Sequence, residues 1–267
     1  MSDNTHPGGA HSAAATSSGS RINSLETAFT IIDALKRRDG ARITDIVGDT
    51  GLSKSTVHKH LATLREHGYV VKNSGSYELG FRFLDIGGYV RAQFPNATFI
   101  KGKLQDLAAE TGEISQCMTE QQGQAIVLYR ETGVNGLPTR TRPGKRMYLH
   151  QTASGKAILS QLSEQRVGEI IDQHGLPAAT DATITEREEL RAELAQIRER
   201  GVAYNYGEST RGLCAVAAPV TTPDGRVHCT CTISGPRHRM EAEKMTDDYA
   251  DLLLSVTNEI ELEIAHG

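Results

Sequence analysis

Several groups of residues in this 267-residue chain have types and spacings that could do chemistry. Cys229-Thr230-Cys231 beside His228 suggests metal ligands. Zinc sites, however, usually take four ligands at spacings such as C-x2–4-C, and no second pair follows, so no metal or other cofactor is assigned. Buried strand cysteines are the better reading, since free Cys packs as a small hydrophobe, and Cys117 and Cys214 read the same way. A nucleophile would need a base beside it, for instance Cys214 with His150 or His228, and nothing in their spacing compels that. Ser154-Gly155-Lys156 lacks the G-x-x-x-x-G-K-[ST] frame of a phosphate-binding loop. Arg140, Arg142, Lys145 and Arg146 around Pro143-Gly144 could steer an anion or touch DNA, but a solvated loop is the plainer account.

The clearest chemistry lies between residues 41 and 79, ARITDIVGDTGLSKSTVHKHLATLREHGYVVKNSGSYEL. Val57, Leu61 and Leu64 repeat at i, i+4 and i+7, so one side of a helix faces a core while Ser55, His58, Lys59 and Ala62 face out. Ser53 is placed as the N-cap. Thr44 to Thr50 supplies a partner helix with Ile43, Ile46 and Val47 as apolar contacts, and Gly51 and Leu52 make the turn between them. Gly68 ends the second helix. Tyr69 to Lys72 and Tyr77 to Leu79 then flank Asn73-Ser74-Gly75-Ser76, a hairpin with turn residues at its tip. Helix, turn, helix and hairpin describe a winged helix-turn-helix whose second helix fits a DNA major groove. Ser55, His58 and Lys59 are expected at base edges, with Lys54, Thr56 and the wing residues Lys72 and Asn73 on phosphates.

Positioning these residues requires about two domains, because single domains typically run ~100–200 residues. With 38% hydrophobic and 23% charged residues the composition is that of an ordinary globular protein, and the net charge of −4 excludes a polycation. The imbalance is local. Residues 21 to 79 hold nine Lys and Arg against seven Asp and Glu, whereas 80 to 267 hold 20 against 25. Four cysteines do not make a disulfide scaffold, and no apolar run approaches the ~18 residues that span a bilayer. With no apolar h-region at its start, the chain is expected to be cytoplasmic.

Residues 1 to 20 carry almost no large apolar side chains and are expected to be a disordered tail. Residues 24 to 38 read as a helix with Leu25, Phe29, Ile32 and Leu35 on one face and Asn23 or Ser24 as cap. Residues 80 to 95 read as a glycine-interrupted linker helix that is too apolar for solvent, so a second chain is expected to cover Phe83, Leu84, Ile86 and Val90. From about Asn96 to the end the pattern mixes elements. Ile100, Leu104, Leu107 and Ala108 have helical spacing; 124–130, 144–149, 213–220 and 227–234 read as strands. Residues 154–162 and 164–173 read as helices, Thr185 with Glu188 as a capping box, and Tyr249 to Ile264 as a last helix. The fold class is α+β, with one antiparallel sheet and helices packed on it.

Three segments, YELGFRFLDIGG (77 to 88), HQTASGKAIL (150 to 159) and GLCAVAAPVTTPDGRVHCTCTISGP (212 to 236), together with the winged helix, resemble the IclR family of transcriptional regulators over residues 21 to 267. GARITDI and the ITEREEL helix look most like archaeal members. The resemblance implies an N-terminal DNA-binding domain (21–79), a linker helix used in dimerisation, and an effector-binding domain (96–267) of GAF-like or profilin-like fold. It implies dimers or dimers of dimers on a pseudo-palindromic double-stranded operator, and a small organic acid that alters activity, without catalysis.

The residues themselves say something about the pocket. In the strand from Val227 to Ser234, alternation puts Val227, Cys229, Cys231 and Ile233 on one face and His228, Thr230, Thr232 and Ser234 on the other. The amides at Thr152 to Lys156 precede a helix and would converge on an anion such as a carboxylate. By the resemblance, Ala153 and Ser154 supply those amides, Thr232 and Ser234 supply hydroxyl contacts, and Leu213 supplies a wall. The sequence departs from small-acid-binding members at Asn205 and Ala215, where an acidic residue and a cysteine are common. Two other readings stand beside the regulator: an α+β enzyme fused to a DNA-binding domain, and an architectural nucleic-acid-binding protein that takes no ligand.

Overall fold

The computed structural model describes residues 21–136 and 141–266. The tail expected over residues 1–20 and Arg140 of the basic cluster lie outside them. The chain divides into two compact units, Met1–Gly88 and Tyr89–Gly267.

The first unit packs three helices and a hairpin, α1 (Asn23–Arg38), α2 (Ile43–Thr50), α3 (Lys54–Glu66), β1 (Val70–Asn73) and β2 (Ser76–Leu79). Its core joins Ile31, Ala34 and Leu35 of α1 to Ile46, Val57, Leu61, Val70 and Tyr77. Gly51 caps α2 at φ 68°, and Gly68 follows α3 at φ 75°, left-handed values that cost other residues strain. Ser74 and Gly75, both at positive φ, close a two-residue hairpin in which Asn73 pairs Ser76.

The face of α1 differs from expectation. Leu35 is buried as expected, but Leu25 and Phe29 are 52% and 60% exposed, because the helix turns Ile31 and Ala34 inward instead. Its N-cap is Ile22, with no side-chain cap from Asn23 or Ser24. The linker helix α4 (Arg82–Ala92) begins two residues later than the expected 80, because Gly80 is pressed against the Gly68 carbonyl: a Cβ there would lie 2.3 Å from that oxygen. No residue of α4 is buried.

The second unit continues with α5 (Ala97–Thr111), β3 (Ile114–Gln121), β4 (Gln124–Thr132), β5 (Arg146–Tyr148), a 3-10 turn (Leu149–Gln151), α6 (Ala153–Ser160), α7 (Glu164–His174) and α8 (Arg187–Arg200). Then come β6 (Ala203–Tyr206), β7 (Leu213–Thr221), β8 (Val227–Pro236), a short α9 (Ala242–Lys244) and, after a π-helical turn, α10 (Ala250–His266). The sheet is antiparallel in the order β5-β4-β3-β8-β7-β6. One face carries α5 and α10 over Cys117, Cys229, Cys231 and Ile233; the other carries α6, α7 and α8 over Met118, Ala125, Val127 and Ala217. A sheet covered on both faces needs little strict alternation, and that is where the sequence reading falters.

Two strands, β3 and β6, were not expected. In β3 the buried Ser115 and Gln116 disguise a strand whose Ser115 hydroxyl donates to Leu104 O at 2.6 Å. The Thr185–Glu188 capping box does not form, since α8 starts at Arg187 with Glu186 at its N-cap. Val227 leaves the face of Cys229 and Cys231. A bulge opposite Val220 and Thr221 shifts the register there, so Val227 packs with the α6 side and His228 turns to the other.

Candidate functional site

The outer side of α3 is built from its cap outward. Ser53 Oγ accepts from the Thr56 amide at 3.1 Å and fixes the start of the helix. Beyond it Lys54, Ser55, His58 and Lys59 are all exposed while Val57 and Leu61 are fully buried, so the polar face is held by the core behind it. Thr56 is half-buried where the others are exposed, and its hydroxyl lies 2.8 Å from Ser53 Oγ, as that of Ser55 lies 3.0 Å from it. On the wing, Lys72 lies over the Tyr77 ring at 5.3 Å, and Asn73 Nδ2 donates to Glu78 Oε2 at 3.0 Å. Both wing side chains are exposed. This arrangement can place a helix with cationic and hydroxyl groups in a major groove and a hairpin along the backbone.

In the second unit a cavity of about 510 Å³ opens between the sheet and the N-terminus of α6. Ala153, Ser154, Asn205, Leu213, Ala215, Thr232 and Ser234 all line it, although they come from α6, β6, β7 and β8. Thr152 caps α6 by accepting from the Gly155 amide at 2.9 Å, which leaves the first amides, Ala153 and Ser154, without intrahelical acceptors by helix geometry. Gly155 is required at that point: a Cβ would lie 2.1 Å from Leu149 O, so only glycine lets α6 start against the 3-10 turn. Ser154 Oγ and Thr232 Oγ1 are hydrogen-bonded to each other, tying α6 to β8.

Asn205 lines the cavity and is held by three hydrogen bonds. Nδ2 donates to Gln151 O at 2.8 Å and Oδ1 accepts from the amides of Gly207 and Glu208, so it shapes the loop before β7 with one Nδ2 hydrogen left for a contact. The loop reading of the basic cluster is also revised, since Lys145 and Arg146 line the cavity and have no carboxylate partner among the described residues. The described lining contains these two cations and no Asp or Glu. A pocket with a helix N-terminus, hydroxyls and unpaired cations, and no acid, is electrostatically suited to an anion. Besides these two, the sequence reading missed Gln116 and Met118, because β3 was not read as a strand.

The enzyme-like pairs do not assemble. Cys214 lines the cavity, with burial pushing its thiol pKa up, the reverse of an activated nucleophile. His150 is buried outside it with Nε2 3.0 Å from Pro177 O, and burial lowers its pKa. His228 stacks on Phe94 at 4.6 Å and faces Pro95 O, away from Cys229 and Cys231, which are fully buried with raised pKa values. Among the described residues no helix is long and apolar enough to cross a membrane.

A winged helix-turn-helix joined in one chain to a pocketed α+β unit is the layout of a DNA-binding regulator of transcription. Comparison with known proteins gives the family. Residues 24–74 match the family model described as the IclR helix-turn-helix domain, and residues 96–262 match "Bacterial transcriptional regulator IclR C-terminal". The chain belongs to the IclR family of transcriptional regulators. It is 29% identical to a probable HTH-type transcriptional regulator, ArcR, of Halobacterium salinarum, over 91% of this chain and 94% of that protein. The crystal structure of the Thermotoga maritima IclR matches with a TM-score of 0.75 at 27% identity, covering 92% of this chain and all of that one (100%). An IclR homologue from Microbacterium hydrocarbonoxydans, complexed with 4-hydroxybenzoate, shares the fold at 19% identity and TM-score 0.75, covering 90% of this chain and 98% of that one.

Proposed function

We propose that the chain acts in the cytoplasm as a sequence-specific regulator that binds a pseudo-palindromic double-stranded operator as a dimer or dimer of dimers, and that a small organic acid held in the C-terminal cavity modulates it. The observation that carries the effector part is the convergence of Ala153, Ser154, Leu213, Thr232 and Ser234 on one cavity whose described lining has two cations and no carboxylate. Its volume, about 510 Å³, falls within the ~300–1,000 Å³ common for small-molecule sites. The carboxylate would sit on the amides of Ala153 and Ser154, near the Thr232 and Ser234 hydroxyls. That a homologue of the same fold was crystallised with 4-hydroxybenzoate, itself an acid, supports the reading. On DNA, Ser55, His58 and Lys59 take base edges and Lys54, Lys72 and Asn73 take phosphates.

Removing one pocket hydroxyl, as in Ser234→Ala, leaves a ligand oxygen unpaired in a closed site. The expected loss is about 1–3 kcal/mol, or roughly tenfold to a hundredfold in affinity. A calorimetric screen of small acids against wild type and Ser234→Ala checks this, followed by DNA binding with and without the best acid. Equal binding to both proteins would displace the ligand from Ser234, and unmoved DNA affinity would end the claim of coupling.

The assembly reading rests on α4. Phe81 just before the helix and Leu84, Tyr89 and Val90 within it are 88%, 69%, 67% and 63% exposed, apolar side chains that water disfavours and a second chain would cover. Phe83 is an exception, packing edge-on against Tyr69 at 5.1 Å within its own unit. Sedimentation at micromolar concentration is expected to show no monomer-sized species, and Leu84→Asp to shift the chain toward monomer. A wild-type chain that stays monomeric and holds a single half-site tightly would defeat the proposal.

A further inference from the structure

Gln116 is the buried polar side chain of the cavity that no other part of the described structure satisfies. It lies on β3 in the middle of the sheet, 6% exposed, and lines the cavity. Its Cα partners are Thr232 on β8 and Arg130 on β4, so its side chain shares their sheet face, the face that carries α6. Both neighbours are committed elsewhere: the Thr232 hydroxyl to Ser154, and Arg130 Nη1 to Thr132 Oγ1 at 2.7 Å. The Gln116 amide itself makes no hydrogen bond among the described residues. A primary amide has two donor hydrogens and a carbonyl acceptor, and these are not sealed in the protein but reach the cavity. An oxygen of a molecule that enters the cavity can pair with them.

We propose that Gln116 determines which acid this pocket accepts, by hydrogen-bonding a hydroxyl or oxo oxygen of the effector. The inference rests on the acid-effector reading given above and narrows it to hydroxy or oxo acids. Directly opposed residues on neighbouring strands stand about 4.5–5.5 Å apart, so Gln116 lies one strand beyond the Ser154–Thr232 contact at the carboxylate end. An acid with a second oxygen displaced from its carboxylate can therefore reach both. An acid of the same shape without that oxygen fills the cavity and leaves the amide unpaired. Sites built to pair a substrate oxygen discriminate against the analogue lacking it for this reason.

The test uses matched acids on the full chain: benzoate with 4-hydroxybenzoate, glutarate with 2-oxoglutarate, and butanoate with 3-hydroxybutanoate. In calorimetry wild type is expected to bind the oxygenated member of at least one pair about tenfold to a hundredfold more tightly than its twin. Gln116→Met, close in volume and apolar, is expected to bring that ratio near one, and Gln116→Leu to do the same. Thermal melting without ligand separates this from a structural role: removing an amide with no protein partner is expected to leave the ligand-free melting temperature unchanged or raise it. Acids that bind wild type with no preference within any pair, or with a preference that survives in both variants, would overturn the assignment of Gln116 and leave the acid effector standing. If no acid of the panel binds wild type, the acid-effector reading falls and the assignment with it.

Discussion

Glu208→Ala is expected to destabilise the C-terminal unit by about 3–5 kcal/mol, the usual cost of stripping one partner from a buried ion pair. Lys156 projects from α6 and is 2% exposed, with its Nζ 2.8 Å from the Glu208 carboxylate and 3.5 Å from Glu193. Glu193 is already shared with Arg200 at 2.8 Å, so it cannot fully replace Glu208. The loop around Glu208 is pinned further by Thr180 and Thr183, whose hydroxyls donate to the carbonyls of Gly207 and Glu208, and the same loop gives Ser209 and Thr210 to the cavity wall. Loss of the pair therefore strikes the pocket as well as the core. At roughly 2–4 °C per kcal/mol for a unit of this size, the melting temperature is expected to fall by about 10 °C. An unchanged melting temperature would mean that water replaces Glu208 without cost.

The pair also gives a pH dependence with a definite sign. Burial pushes the Glu208 carboxyl above its ordinary value of 4.5, outweighing the opposing pull of Lys156. A carboxyl whose folded pKa is raised binds its proton more readily in the folded chain, so its contribution to stability is greatest below about 4.5 and declines as pH rises through the folded value. Glu208→Gln is expected to remove that slope while keeping the side-chain shape. Denaturant unfolding of the two proteins across the acid range isolates it by difference.

The second large effect is expected on DNA. His58→Ala and Lys59→Ala remove exposed side chains from α3 without touching Val57 or Leu61, so melting should be unchanged. Each is expected to cost about 1–3 kcal/mol at the preferred operator, roughly tenfold to a hundredfold, and to relax specificity at one base position. Lys54→Ala is expected to weaken all duplexes alike and to lower the slope of log affinity against log salt by about one. Duplexes selected from a random pool by the wild-type protein supply the substrate. A Lys59→Ala protein that retains both affinity and specificity would remove that residue from the interface.

Much of this was legible in the sequence because it was local. A helix with Val57, Leu61 and Leu64 on one side, a Ser53 cap and glycines at its turns declares its own inside and outside, since period and capping act over a few residues. The family motifs did likewise for Ala153, Ser154, Thr232 and Ser234, and the structure brings those residues to one cavity. What the sequence could not show depended on partners distant in the chain. Leu25 and Phe29 look like core residues until the packing of α1 turns Ile31 and Ala34 inward instead. Val227 breaks the alternation of its strand because a bulge against β7 flips it. Asn205 is tied to Gln151, a residue 54 positions away, and Lys145 and Arg146 become pocket cations only because β5 pairs with β4. The sequence by itself determined the class of each unit and which face of α3 is turned outward, through local periodicity and capping. Which polar groups in the pocket are free to meet a ligand, Gln116 foremost, was decided by tertiary structure alone, because whether a buried polar group is satisfied depends on which strands and helices come to lie around it.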